Sequence, residues 1–183
     1  MGSRYRVNTN QLVDELNRLD VYFLADETKI CTTALMEPAM LLRQLALSEE
    51  ARLRLALIPL LLRHPEFAAI VSRVAAQLPA SAQLVLKCYY SAAQLLQQKY
   101  RQRLHALFGD SPTLPDLFAA ELGLPEFTDP DHGLQRLAER HRQLSGRMIN
   151  WLGTYEHGAQ RLLIHCERKA LWQKSQPTKS MPY

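Results

Sequence analysis

Apolar side chains recur every three or four residues along most of this chain, as they do on one face of an α-helix. The first clear instance runs from about Asn10, a candidate N-cap, to Leu19. The apolar stretch 21–25 fits either a short strand or a buried connection. The 7 glycines supply little of the turn chemistry that a sheet needs. The pattern predicts an all-α fold, a single-domain irregular bundle of about six or seven helices with a long C-terminal helix.

Proline positions divide the middle of the chain into further helices. One covers about 33–47, with Pro38 in its first turn, where the missing N–H is tolerated. Another begins after Ser48 and is apolar on all sides through Leu62, which is typical of a helix surrounded by others. Pro59 is expected to kink or divide this second helix, because an interior proline removes a backbone hydrogen bond.

Three more helices are predicted between the middle of the chain and its last segment. The first runs from Pro65 to just before Pro79, and a long one follows from Ser81 to Phe108. Gly109 stands where a left-handed terminal residue ends such a helix. A short helix is predicted over 116–122, ended by a glycine and a proline.

The last segment predicts one long helix, with Asp129 as N-cap and Pro130 as its first residue, continuing to Gln173. Its apolar positions alternate spacings of three and four and form one seam. The seam consists of Leu134, Leu137, His141, Leu144, Met148, Trp151, Tyr155, Leu162 and Cys166. The glycines within the segment are Gly146, Gly153 and Gly158. These glycines indicate either close approaches of neighbouring helices or a break in the helix, and we favour close approaches.

Length and composition are those of one globular domain. We assign residues 1–175 to a single helical domain and residues 176–183 to a flexible C-terminal tail. The longest apolar run, 55–62, is less than half of the ~20 residues that span a bilayer, so no membrane is expected. The N-terminus carries scattered charges and lacks the apolar core of a signal peptide, which favours a cytoplasmic location.

The 3 cysteines, at positions 31, 88 and 166, are far apart and odd in number, so they predict neither a disulfide framework nor a zinc site. His157 and His165 are separated by eight residues, without the companion ligands that a metal site needs. Glycine-rich phosphate loops, nucleophile elbows and dinucleotide fingerprints are also lacking from the sequence. We therefore predict no metal and no cofactor.

A row of arginines is the most specific feature of the last predicted helix. Its members share one heptad position and would lie about 10 Å apart for each seven residues. They are Arg140, Arg147, Arg161 and Arg168, with Arg136 one turn earlier. Guanidinium groups suit phosphate and carboxylate, so the row predicts binding to RNA, DNA or an acidic protein subunit, and the net charge of +4 agrees with this. The alternative is a solvated face that Glu139 and Glu167 partly neutralise.

The same segment contains an arginine and a histidine separated by four residues, Arg136 and His141. This pair resembles the Arg-x4-6-His motif of the HEPN ribonucleases, which are small helical bundles and often dimers. Leu137 stands where that family usually has a polar residue. The resemblance implies metal-independent RNA cleavage, with His141 in proton transfer and Arg136 orienting or stabilising the phosphate.

Three functional hypotheses therefore follow from the sequence. The leading one is a non-catalytic helical subunit that assembles with a protein or with nucleic acid through its basic C-terminal helix, with a homo-oligomer as a further option. The second is the ribonuclease that the HEPN-like pair implies. The third is a bundle that binds an apolar small molecule between Tyr89, Trp151 and Tyr155, although such aromatic residues also form ordinary cores.

Overall fold

The computed structural model describes residues 8–21 and 35–175, and most of them are helical. The α-helices are α1 (Thr9–Arg18), α2 (Pro38–Leu47), α3 (Ala51–Leu55), α4 (Leu57–Arg63), α5 (Ala68–Ala76), α6 (Ala80–Lys99), α7 (Arg101–Phe108), α8 (Ala119–Leu122), α9 (Pro130–Ser145) and α10 (Trp151–Ser175). No strand occurs within those two ranges, so the predicted all-α fold with a long C-terminal helix is confirmed. The undecided stretch from Tyr22 onward, Cys31 and the predicted tail 176–183 lie outside the described residues.

α6 is the centre of the packing. It packs most extensively against α9 and α4, and it also contacts α2, α5 and α10. Leu86, Tyr90 and Leu96 of α6 are completely buried. Because neighbours cover several sides of the helix, burial extends beyond the apolar stripe to Ser91 and Gln97. α6 is thus a core helix with polar residues inside it.

Helix starts lie within a few residues of the predicted positions. Asn8, rather than Asn10, caps α1, and its side chain forms a capping box with Gln11. Pro79, rather than Ser81, precedes the first residue of α6, and no side-chain cap is formed there. Helix ends commonly shift by one or two residues in this way, because several polar residues near a terminus can serve as the cap.

Two interruptions divide the predicted central helices. Ala56 separates α3 from α4, and Pro59 lies in the first turn of α4, where its missing N–H leaves no hydrogen bond unmade. This confirms the expectation that Pro59 divides the apolar helix. The long helix predicted to end at Phe108 is divided at Tyr100. The backbone N–H of Tyr100 still donates to Leu96, and its carbonyl still accepts from Leu104, so helical hydrogen bonds continue on both sides of the break.

The prediction of one continuous C-terminal helix is wrong. α9 ends at Ser145, Gly146 adopts a left-handed conformation with φ of 66°, and α10 begins only at Trp151. Asn150 starts the new helix, because its side chain accepts a hydrogen bond from the N–H of Gly153. Glycine is the residue that most readily takes a positive φ, so Gly146 ends a helix here and does not mark a close contact.

Of the three glycines, Gly158 is the one that packs closely against a neighbouring helix, whereas Gly153 meets the side chain of Asn150 at the start of its own helix. A Cβ atom on Gly158 would lie 3.1 Å from Cδ1 of Leu55 and 3.4 Å from Cβ of Ile58. The absence of a side chain therefore lets α10 approach the α3–α4 region. Gly146, in contrast, has no atom within 4 Å of the position its Cβ would take.

Substitution at Gly146 distinguishes a helix end from a continuous helix by the sign of its effect. We expect Gly146→Ala to lower the free energy of unfolding by about 1 kcal/mol, because alanine is strained at positive φ. The Gly146→Asn variant should lose less of its free energy of unfolding, since asparagine tolerates that conformation. Within a continuous helix, Gly146→Ala would instead stabilise the protein by up to ~1 kcal/mol. Urea denaturation of the three proteins measures the difference.

Among the described residues, no single helix has both the length and the apolar composition that crossing a bilayer requires. The segments Ala51–Arg63 and Pro65–Ala76 meet that requirement only when they are taken together, across a bend of 104°.

Candidate functional site

The break after α9 places the five predicted arginines on three different segments. Arg136 and Arg140 belong to α9, Arg147 to the connection, and Arg161 and Arg168 to α10. The continuous row that the heptad spacing predicted is therefore not formed. Their role in binding a partner stays a prediction.

The two arginines of α9 are engaged within the protein. Arg136 forms an ion pair with Glu139, at 2.8 Å, on the exposed side of the helix. Nε of Arg140 donates to the carbonyl oxygen of Leu122 at 2.8 Å, and its guanidinium lies beside Gly123. Arg140 thus satisfies a carbonyl at the C-terminus of α8 and ties that short helix to α9.

The histidine of the HEPN-like pair lies in the core. His141 is 1% exposed, stacks on Trp151 with a ring separation of 3.6 Å, and forms a 2.6 Å hydrogen bond between Nδ1 and the hydroxyl of Tyr155. Burial, helped by the charge of Arg147, lowers the pKa of His141 to about 4. Arg136 is instead exposed and bound to Glu139. The geometry brings these two side chains into different environments and gives His141 no open edge toward an RNA substrate.

The aromatic residues of the third hypothesis are in ring contact with one another and with His141. Tyr89 makes edge contacts with both His141 and Tyr155, at ring separations of 6.1 and 5.8 Å. The ring of His141 contacts those of Tyr89, Trp151 and Tyr155. These aromatic residues therefore form the core between α6, α9 and the start of α10.

A polar network, which the sequence analysis missed, fixes α10 against α6 and α7. Lys99 binds Glu156 at 2.6 Å, and the hydroxyl of Tyr100 donates to the same carboxylate at 2.6 Å. Arg103 binds Glu167 through two hydrogen bonds of 2.8 and 3.0 Å. This guanidinium lowers the pKa of Glu167. Because these bonds hold one flank of α10, they fix which side of the helix faces away from the core.

The side of α10 that faces away from the core carries large apolar residues in water. Ile164, Leu171 and Trp172 are 41%, 68% and 65% exposed. Arg161 and Arg168 are exposed as well. At 3.6 residues per turn, these five side chains fall within an arc of about 100°. We call this surface the outer face of α10, and it consists of Arg161, Ile164, Arg168, Leu171 and Trp172.

The charge on the outer face is positive. Its two arginines are followed by Lys174 near the end of the helix, while Glu167 is already bound by Arg103 on the flank. The sequence identified Arg161 and Arg168 but not the exposed apolar side chains beside them. The sequence did contain a signal for these exposed residues. α10 carries apolar residues on two sides, and only one of the two sides is needed to pack against the core.

A second exposed apolar group lies at the end of α9 and on the connection to α10. It consists of Leu144, Met148 and Ile149, which are 43%, 87% and 43% exposed. We call it the connection patch. It is a matched comparison surface for the outer face of α10, because it also has three large apolar residues and an adjacent arginine, Arg147.

Within residues 8–21 and 35–175, no group of three or more histidine, cysteine, aspartate or glutamate side chains is placed to hold a metal ion. Comparisons of the chain with protein-family models, with curated proteins and with solved structures found no match.

Proposed function

We propose that this chain is a non-catalytic helical subunit that binds an acidic protein partner through the outer face of α10. The observation that carries the proposal is that the exposed Ile164, Leu171 and Trp172 share one side of α10 with the exposed Arg161 and Arg168. Contiguous exposed apolar side chains rimmed by polar groups are typical of protein interaction sites. Tryptophan and arginine are also the residues that most often dominate binding energy at such sites.

The apolar residues favour a protein over nucleic acid as the partner. Arginines alone are sufficient to contact phosphates, and such contacts do not require neighbouring isoleucine or leucine side chains. A partner helix with apolar residues at matching spacing would bury Ile164 and Leu171. Glutamate or aspartate residues beside those positions would pair with Arg161 and Arg168.

Charge also favours a different protein over a second copy of this chain. Two outer faces packed together would bring Arg161 and Arg168 of one copy toward the same residues of the other. Like charges in a partly desolvated contact oppose association. An acidic partner removes this repulsion and turns it into attraction.

Affinity capture from the native host with matched variants tests the proposal. The wild-type protein is compared with a variant of the outer face, in which Ile164, Leu171 and Trp172 are replaced by serine, and with a variant of the connection patch. In the latter variant, serine replaces Leu144, Met148 and Ile149. All samples are treated with nuclease. We expect one acidic protein to be retained by the wild type and the connection-patch variant and lost from the outer-face variant.

Three results would contradict the proposal. They are equal retention by both variants, loss only from the connection-patch variant, and capture that disappears after nuclease treatment. The last result would point to nucleic acid, whose binding should also weaken steeply with salt because phosphate contacts release counterions. Circular dichroism spectra that overlay for the three proteins would show that the fold is unchanged.

A further inference from the structure

A small cleft lies between α6 and the segment 116–127, away from the outer face of α10. It encloses about 210 Å³. Its polar lining comprises Ser91, Gln94 and Gln98 from α6 and Asp116 and Glu126 from the opposite wall. Apolar groups, including the ring of Phe127, complete the lining. The volume is below that of most drug-sized sites, so the cleft suits a ligand of a few heavy atoms.

Hydrogen bonds hold the two walls in place. The hydroxyl of Tyr90 donates to the carbonyl of Pro115 at 2.9 Å. The buried side chain of Gln97 donates to the carbonyl of Pro112 at 2.9 Å and accepts from the N–H of Leu114 at 2.8 Å. Because these bonds join the segment before the cleft directly to α6, the cleft is formed without a ligand.

Ser91 is the feature of the cleft that internal packing does not explain. Its side chain is 6% exposed, and its Oγ has no hydrogen-bond partner among the described residues. Buried hydroxyl groups are normally hydrogen-bonded, because an unmade bond leaves the loss of water uncompensated. Since Ser91 also lines the cleft, a bound polar group would supply the missing partner.

The charges of the lining residues indicate that the bound polar group is positively charged. Asp116 and Glu126 contribute two carboxylates, and no cationic side chain lines the cleft. Oδ1 of Asp116 accepts from the backbone N–H groups of Phe118 and Ala119, so this carboxylate is fixed in orientation while Oδ2 remains for other contacts. The two lysines of α6 on either side of the lining residues are both paired, Lys87 with Glu121 and Lys99 with Asp131 and Glu156.

Arg140 of α9 is also engaged, since its Nε donates to the carbonyl oxygen of Leu122. We infer that the cleft binds a small organic cation, a primary ammonium group on a short apolar chain, with Ser91, Asp116 and Glu126 around the ammonium. Leu95, Leu124 and Phe127 contact the apolar chain. This site is separate from the outer face of α10 and does not depend on the proposed function.

Nuclear magnetic resonance of the isotope-labelled full chain tests the site with three ligands of similar shape. They are n-butylammonium, neutral n-butanol and anionic butyrate at neutral pH. We expect n-butylammonium to shift the amide signals of residues 91–98 and 116–127 saturably, n-butanol to bind more weakly, and butyrate not to bind. Shifts scattered over the whole surface, or equal binding of butyrate, would overturn the inference.

Two variants separate binding from stability. Ser91→Ala and Glu126→Gln should each weaken n-butylammonium binding by about tenfold, because each removes a hydrogen bond to a charged group. Glu139→Gln, on the exposed side of α9, should leave binding unchanged. Ser91→Ala should not lower the melting temperature, because the lost hydroxyl has no partner in the protein. A lower melting temperature for Ser91→Ala, or unchanged affinity for both cleft variants, would contradict the assignment.

Discussion

Between pH 6.5 and pH 4.5, the free energy of unfolding should fall steeply, and most of this fall should disappear when His141 is replaced by glutamine. Burial lowers the pKa of His141 to about 4, whereas a histidine in the unfolded chain titrates near 6.5. Well above pH 6.5 both states hold the neutral imidazole, and the full stability is present. As the pH falls, the unfolded chain binds a proton that the folded protein excludes.

The resulting loss is on the order of 3 kcal/mol once the pH reaches the folded-state pKa. Urea denaturation at half-unit pH intervals measures it. His141→Gln should be less stable than the wild type at pH 7, because glutamine cannot stack on Trp151 as the imidazole does. Its stability should nevertheless change much less with pH. His105→Gln, at an exposed position, is the matched control. Its free energy of unfolding should change with pH as that of the wild type does. Equal slopes for the wild type and His141→Gln would show that His141 is not buried in its neutral form.

The 2 tryptophans of the chain both belong to α10, and we expect opposite consequences from their removal. Trp151→Ala should lower the free energy of unfolding by about 3–5 kcal/mol, because Trp151 is buried and stacked on His141. Trp172→Ala should change it by less than about 0.5 kcal/mol, because Trp172 is 65% exposed.

Thermal and urea denaturation of the two variants measure this contrast. A large loss of stability in Trp172→Ala would mean that Trp172 packs within the chain, and the outer face of α10 would then not be free to bind a partner. A small loss in Trp151→Ala would contradict the aromatic core between α6, α9 and α10.

Helical periodicity was sufficient to predict the fold class, because helices that bury one side repeat their apolar residues every three or four positions. It was not sufficient to locate the end of α9. His141 and Trp151 are both buried and both fit the predicted seam, yet Met148 between them is 87% exposed. The spacing continues across the connection although the helix does not. Gly146 carried the relevant signal, since glycine is common at helix ends.

The candidate site was predicted only in part. Arg161 and Arg168 were identified from their heptad spacing, and the structure places both on the exposed side of α10. Which side of α10 faces water depends on Lys99 and Arg103 binding carboxylates that lie more than fifty residues later in the chain. Such pairings between distant segments leave no periodic pattern, and so the sequence alone could not reveal them.

The central claim is that the outer face of α10 binds an acidic protein. The most direct test is the dissociation constant of the captured partner, purified and titrated against the wild type, Trp172→Ala and Met148→Ala. If Trp172 is a dominant contact, its removal should raise the dissociation constant by at least about 30-fold, which corresponds to about 2 kcal/mol. Met148→Ala, on the connection patch, should stay within about twofold of the wild type. A dissociation constant unchanged by Trp172→Ala would contradict the claim.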